Sequence, residues 1–440
     1  MIPNKYKWQI RQDVSVENIV NTLLESRGVV DKDKFLNSDI KDLYDPFLLK
    51  GMKSAVQRIL QARDTNESVI IYGDYDVDGI TSTSILYSFL KEINVNVGYY
   101  IPSRTKEGYG LNEEAVQKIA KVANLIITVD NGIASMAEVK LANTLNLDII
   151  ITDHHDCHAE LPPAFCIINP KQPDCQYPFN GLAGVGVAFK LIQAIAQEVN
   201  MDVLKYIELV SVGTVADIVP LVDENRILTA IGLKMLENTQ NKGLAALLSI
   251  INKDNKQITS DILGYQIGPR VNAISRLSDA KIAVELFTTD SAEIAQEIAI
   301  KLDDTNKRRK SIENEIFKQA VEYIENNNLV DNDVLIVLGD GWNHGVIGIV
   351  ASRIVDKYYK PTIIFTLENG KYTGSARSIV GFNMFKALAV QEGYMIKYGG
   401  HPMAAGMSIA EENMQAFIED MKISNSISED VLTPKLDIDI

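Results

Sequence analysis

Four apolar residues, Val69 to Tyr72, run into Gly73-Asp74-Tyr75-Asp76-Val77-Asp78-Gly79, so a buried strand ends on three carboxylates at alternate positions. Negative charge crowded at a strand end costs free energy unless a cation neutralises it. The stretch is therefore a site for a hard divalent metal, and further ligands are required elsewhere in the chain. An EF-hand loop begins in the same way, but Ile85 occupies its twelfth position, where that loop needs a bidentate Glu, and a strand leads in instead of a helix. An exposed acidic turn without a ligand is the plain alternative for these residues taken alone.

The pattern that follows supplies the frame. It predicts a helix over 81–93, a strand over 95–101, a helix over 112–122, a strand over 125–130, a helix over 135–146 and a strand over 148–152. Such alternation specifies a parallel sheet with helices on both faces, in which ligands collect outside the carboxyl ends of the strands. Asp74, Asp130 and Asp153 each lie at or just past such an end. Asp130-Asn131-Gly132 alone would be an ordinary turn. His154 and His155 add imidazole beside the carboxylates, and oxygen and nitrogen donors without thiolate suit manganese, with magnesium as a substitute. Asp217 stands alone in the apolar segment 209–221, where a buried carboxylate costs several kcal/mol unless it is paired, so it is a ligand or a cap.

At 440 residues the chain is long enough for two or three domains. Residues 1–66 read as short helices, 67–290 as the domain bearing the acids, with its helical part from 181, and 291–327 as one connecting helix free of Gly and Pro. A second, smaller α/β domain is expected over 328–425, and 426–440 reads as the start of a further domain cut short, with a strand beginning at 433. Lys307-Arg308-Arg309-Lys310 sits mid-helix and reads as facing solvent or a cleft, with a plain solvated face the ordinary case. In the second domain, Gly374-Ser375-Ala376-Arg377-Ser378 and the stretch 399–406 around His401 combine small residues with Ser, Arg and His, which suits an anion site. Arg270, Asn272 and Arg276 put two cations and an amide near a helix terminus, where surface salt bridging is the ordinary alternative.

The formal charge of −15 excludes a protein that coats nucleic acid non-specifically, so any such contact must use local basic patches or metals. No apolar run approaches the roughly 20 residues that span a bilayer, and the first residues lack the core of a signal peptide, so a cytoplasmic protein without a membrane partner is expected. Cys157, Cys166 and Cys175 lack the paired spacing of a zinc site and read as reduced thiols.

Taken in order, Gly-Asp-Tyr-Asp-Val-Asp-Gly, Val-Asp-Asn-Gly, Asp-His-His, Val-Ala-Asp-Ile-Val-Pro, Gly-Pro-Arg-x-Asn-Ala and Gly-Gly-His-x-x-Ala-Ala-Gly resemble the DHH phosphoesterases, and within them the single-stranded-DNA-specific 5′ to 3′ exonucleases, over about residues 45–420. The resemblance implies two metal ions, with Asp76 and Asp78 on separate ions, Asp130 bridging, His154 and Asp217 completing one shell, and Asp74 in or beside the other. It assigns His155 to the phosphate or its water and Asp153 to orienting the histidines. It also implies that Arg104, Ser375 and Arg377 grip a 5′ phosphate, with His401, Arg270, Asn272 and Arg276 near the scissile bond. The implied activity is hydrolysis of single-stranded DNA to mononucleotides in repair and recombination, by water activated at Mn2+ or Mg2+. A single-stranded-DNA-binding protein and a helicase are the implied partners. Members of that branch continue into an oligonucleotide-binding β-barrel, whereas this sequence stops at Ile440, so a truncated chain is expected. The alternative is a DHH enzyme for short oligonucleotides, cyclic dinucleotides or pyrophosphate, but these carry a His where this chain has Tyr72. An inactive replication scaffold of the same ancestry would have lost ligands, and here every one is present.

Overall fold

The computed structural model describes residues 6–10, 19–104, 107–252 and 257–438. The chain divides into two units, one of Val29–Asn306 and one that combines Met1–Gly28 with Lys307–Ile440. The first strand, β1 (Lys7–Ile10), belongs to the latter.

In the unit Val29–Asn306, β2 (Val69–Tyr72), β3 (Val97–Tyr100), β4 (Leu125–Val129), β5 (Asp148–Thr152) and β6 (Cys166–Ile168) form a parallel sheet in the order β3-β2-β4-β5-β6. Ile71, Ile127 and Ile150 face one core, which includes residues of α1 (Met52–Asp64) and α2 (Val77–Glu92). Tyr72, Ile126, Ile149 and Ile151 face the other, with α3 (Glu113–Ile119) and α4 (Met136–Thr144). Burial on both faces explains why these strands are continuous apolar runs. The sheet is a parallel α/β sheet as expected, and the three-residue β6 is an addition that sequence periodicity misses. The connection from β2 runs outward to β3, and the next strand, β4, returns to β2's other side. The order therefore reverses between β2 and β4, whose carboxyl ends define the ligand crevice.

The helical part comprises α5 (Gly184–Val199), α6 (Ile207–Ala216), α7 (Asp223–Leu236) and α8 (Gly268–Leu277), with shorter helices between them. Its core contains a charge pair. Lys190 on α5 and Glu224 on α7 are both fully buried and 2.7 Å apart. The Lys190 ammonium also donates to the Tyr44 carbonyl at 2.8 Å, and Glu224 accepts from the Tyr177 hydroxyl and, at 2.9 Å, from the Tyr44 N–H. This network fastens the backbone at Tyr44 to both helices.

Helix α9 (Ala292–Asn326) continues without a break across the boundary between the units. Arg309, in the run expected to face solvent or a cleft, is buried. Its guanidinium pairs with Glu313 one turn along the helix, and Arg353 of α10 (His344–Tyr358) donates to the same carboxylate at 2.9 Å.

The second unit carries a mixed sheet. β7 (Leu335–Asp340) and β8 (Thr362–Glu368) are parallel, while β9 (Lys371–Arg377), β10 (Met395–His401) and β11 (Ala404–Ala410) add antiparallel strands in the order β10-β11-β9-β8-β7. The stretch 399–406, read from sequence as a run of small residues, is the hairpin of β10 and β11, because five of its residues are Gly or Ala and give no strand periodicity. Ile363, Phe365, Ala376 and Met407 meet Phe417 of a closing helix at Met414–Ser424. A second correction concerns the ends. Lys7–Ile10, assigned to a helical 1–66, is a strand that pairs in parallel with β12 (Lys435–Ile438), and its polar–apolar alternation is the strand period. Within the stretch 1–66 expected to be helical, residues 1–5 and 11–18 lie outside the described residues, as do residues 439–440 at the other end.

The buried pair yields a stability prediction. Lys190→Met should cost about 3–5 kcal/mol by leaving Glu224 charged and alone in the core, whereas a joint replacement of both by apolar residues should recover most of that loss in a denaturant titration.

Candidate metal centre

The acidic stretch after β2 forms a helix start instead of an open loop. Asp76 is the N-cap of α2, its Oδ1 accepting from the Gly79 N–H at 3.0 Å. Asp78 sits in the first turn of α2, and its carboxylate accepts from two amides at the start of α5, Gly184 at 2.7 Å and Val185 at 2.7 Å. Two helix N-termini thus point at the same acids, which partly offsets the crowding of their charge. Close approach depends on two glycines. A Cβ on Gly79 would lie 2.6 Å from the Asp74 Cβ, and one on Gly184 would lie 2.6 Å from the Asp130 Oδ1. Asp130 itself follows β4 at φ 61°, a left-handed backbone that Asp tolerates better than most residues.

The distant acids and imidazoles converge. The His154 Nε2 lies 3.1 Å from the Asp130 Oδ1, 3.8 Å from the Asp217 Oδ2 and 4.0 Å from the Asp78 Oδ2. Ligand atoms of Asp78, His154 and Asp217 lie within 4.8 Å of one another, as do those of Asp74, Asp76 and Asp130, and those of Asp130, His154 and His155. Asp130 is common to two of these sets. Asp217 ends α6 as the C-cap, and its side chain lies beside the ligand atoms of Asp78 and His154.

Electrostatics separates the roles. Burial, followed by mutual repulsion, holds the carboxyls of Asp74, Asp78 and Asp130 well above the usual range, with Asp76 pressing on Asp74, Asp217 and Asp76 on Asp78, and Asp78 foremost on Asp130. Burial and Asp76 push Asp217 up to about 7. Burial, reinforced by His155, pulls His154 down to about 4, so its imidazole is neutral and free to donate a lone pair. Asp153 behaves in the opposite way. It is buried, yet hydrogen bonds from the His155 ring and from the Ile133 and His155 amides hold it below the usual value. Burial alone would lower His155, but the bond to Asp153 overcomes that and raises it.

Three buried atoms, the Asp74 Oδ1, the Asp130 Oδ1 and the His154 Nε2, have no hydrogen-bond partner among the described residues. Unpartnered lone pairs crowded in one crevice are costly unless a cation takes them, and this oxygen-rich set with neutral imidazole and no thiolate fits manganese or magnesium.

Sequence reading missed Tyr109, whose hydroxyl donates to the Asp130 carbonyl at 3.0 Å and lies 3.3 Å from the His155 Nδ1. The signal was the Gly108-Tyr109-Gly110 sequence, with both glycines at positive φ. It also missed the Gly184 and Val185 amides, which no side-chain motif announces. Of the expected phosphate groups in this unit, Arg104 stacks 4.8 Å over the Tyr75 ring. Arg276 is in the last turn of α8, and the Asn272 Oδ1 is buried without a partner among the described residues. Arg270 is paired with Asp303 at 2.8 Å and donates to the Gln266 carbonyl at 2.8 Å. In the other unit, sheet register puts Ser375, Arg377 and His401 on one face, Ser375 in a row with Gly406 and Gly399, which carry no side chain, and Arg377 in a row with Ala404 and His401. The Arg377 guanidinium donates to the Ser375 Oγ at 3.2 Å, and a Cβ on Gly348 of α10 would lie 2.8 Å from that oxygen.

The model for the DHH family, N-terminal domain, matches residues 68–214, and that for the DHHA1 domain matches residues 331–423. The single-stranded-DNA-specific exonuclease RecJ of Bacillus subtilis is 40% identical, across 100% of this chain and 58% of that protein. The Salmonella typhimurium protein of the same name is 38% identical across 91% and 73%. Among solved structures, exonuclease RecJ bound to manganese matches with a TM-score of 0.77 at 31% identity, over 86% of this chain and 94% of that one. RecJ in complex with Mn2+ from Thermus thermophilus matches at 0.84 and 27%, over 99% and 64%. The chain belongs to the RecJ family of DHH proteins. It spans 58% of the length of the Bacillus subtilis relative.

Gly184→Ala should weaken divalent-ion binding more than about tenfold while leaving the circular dichroism spectrum intact, because its methyl group displaces the Asp130 carboxylate; calorimetric titration checks it. Protons provide a second measurement. Asp217 titrates near 7 in the metal-free protein against an ordinary 3.8, so its contribution to stability is complete below the ordinary value and is lost as pH rises through about 7. The metal-free protein should therefore melt at lower temperature as pH is raised over that window. Manganese uptake below it should release protons, measured as a dependence of the binding heat on buffer ionisation.

Proposed function

We propose that the chain is the catalytic core of a divalent-metal-dependent exonuclease that hydrolyses single-stranded DNA from its 5′ end to mononucleotides, in the cytoplasm, during repair and recombination. The observation that carries this reading is the convergence of Asp74, Asp76, Asp78, Asp130, His154 and Asp217 at the switch point of the sheet, with unpartnered donor atoms aimed inward. Its support includes relatives named for that activity and solved relatives holding Mn2+ or Mg2+.

In this reading those six residues hold manganese or magnesium. When bound, the metal lowers the pKa of a water molecule and stabilises charge on the attacking and leaving oxygens. The Asp78 carboxylate is held by the α5 amides, so its position does not depend on the ion. Asp153 engages the His155 Nδ1 at 2.7 Å and leaves the opposite ring nitrogen to meet a phosphate oxygen or a water. Arg104, Ser375 and Arg377 bind the 5′ phosphate, Ser375 beside the bare Gly406 and Gly399 of its row, and His401, Arg270, Asn272 and Arg276 act near the scissile bond. With a net charge of −15, such contacts must be local. Single-stranded DNA is the substrate, and a single-stranded-DNA-binding protein and a helicase are proposed partners. No helix among the described residues is long and apolar enough to cross a membrane. The small-substrate alternative is disfavoured by Tyr72, which is buried and donates its hydroxyl proton to the Gly110 carbonyl in place of an imidazole at the acids.

Digestion of 5′-labelled single-stranded DNA with manganese should give labelled mononucleotide first, and Asp78→Ala should reduce the rate more than about a hundredfold, beyond the loss typical of an outer-shell change. Faster turnover of dinucleotides or pyrophosphate than of long strands would overturn the reading.

A further inference from the structure

The first turn of α7 contains a second fully buried polar side chain beside Glu224. The Asn225 Nδ2 donates to the Gly181 carbonyl at 2.7 Å and to the Pro220 carbonyl at 3.1 Å. These carbonyls belong to two different loops. Gly181 precedes Gly184 and Val185, whose amides hold the Asp78 carboxylate. Pro220 follows Asp217 in a loop that bends sharply, with Ile218 at φ 65° and Asp223 at φ 48°. A β-branched residue in the left-handed region is strained, so this loop needs an external hold to keep its shape. The orientation of the amide is fixed by chemistry, since both neighbours are acceptors and only an NH2 group can face them. The consequence is a buried Oδ1 with no partner among the described residues. An apolar side chain would avoid that cost, but it could not tie the two loops together.

We propose that Asn225 is a positioning residue that fixes the separation of Asp217 from Asp78 and thereby sets the divalent-ion affinity of the Asp78, His154 and Asp217 group; the inference rests on reading that group as a metal centre. Asn225 touches neither ligand and acts through the backbone of both loops. The adjacent Glu224, paired with Lys190 of α5, holds the same turn against the helix whose N-terminus grips Asp78.

The test uses the full chain, with calorimetric manganese titration and thermal melting of the metal-free protein, for wild type, Asn225→Ala and the milder Asn225→Ser. The expected result is an affinity for manganese about ten- to a hundredfold weaker in both variants, as for other residues that orient metal ligands, with little change in metal-free melting. Saturating manganese should restore the wild-type cleavage rate on single-stranded DNA. Unchanged affinity in a folded variant overturns the proposal. An affinity loss that merely tracks earlier melting, or failure of both variants to fold, also overturns it by making the role a general structural one. A wild-type protein that takes up no manganese would sink the metal-centre reading itself and this proposal with it.

Discussion

Like charges held together away from water are the constraint on which the arrangement of the larger unit depends. Asp74, Asp78 and Asp130 are each nearly inaccessible and each repelled by a neighbour, so the crevice by itself carries unfavourable electrostatic energy. The fold offsets part of it with fixed dipoles. Asp76 caps one helix, and Asp78 receives two amides from another. Neither device supplies a full positive charge, and Asp74, Asp130 and His154 each keep an atom without a partner among the described residues. Bound protons or a divalent ion supply the rest, which ties the stability of the crevice to pH and to occupancy by metal.

Much of this centre was legible in the sequence because its acids fall where apolar strands end. Strands of four or five buried residues announce themselves as apolar runs, and Asp74, Asp130 and Asp153 are the first carboxylates after them. Asp217 was legible for the opposite reason, as a charge where the pattern called for an apolar residue. What escaped were the contributions made by backbone. The Gly184 and Val185 amides carry no side-chain signature, and the role of Gly184 becomes visible only when the Asp130 carboxylate is placed against it. Tyr109 escaped because a Tyr between two glycines reads as a turn.

The smaller unit was less legible, and for a physical reason. Its hairpin is built of Gly399, Gly400, Ala404, Ala405 and Gly406, residues that neither favour strands nor reveal alternation, so the sheet there is held by its ladder to β9. The same poverty of side chains leaves Ser375 in a row with Gly406 and Gly399. Arg309 misled in another way. A run of four cations suggests a wet surface, yet one of the four turns inward to share Glu313 with Arg353. Charge runs report average exposure, whereas helical spacing decides which member is buried.

The adjacent histidines show how the fold divides labour between neighbours. His154 and His155 differ by one position, yet burial leaves the first neutral against three carboxylates, while Asp153 keeps the second inclined to carry a proton. Asp153 can do so because its own charge is secured by the Ile133 and histidine amides, which also explains why this buried carboxyl is held below the usual value while those of Asp74, Asp78 and Asp130 are pushed above it. A lone-pair donor and a proton-bearing ring are thereby set side by side. In the proposed reading one ring holds the cation and the other faces the charge that develops on phosphate oxygens, and a single strand end delivers the pair without a second element.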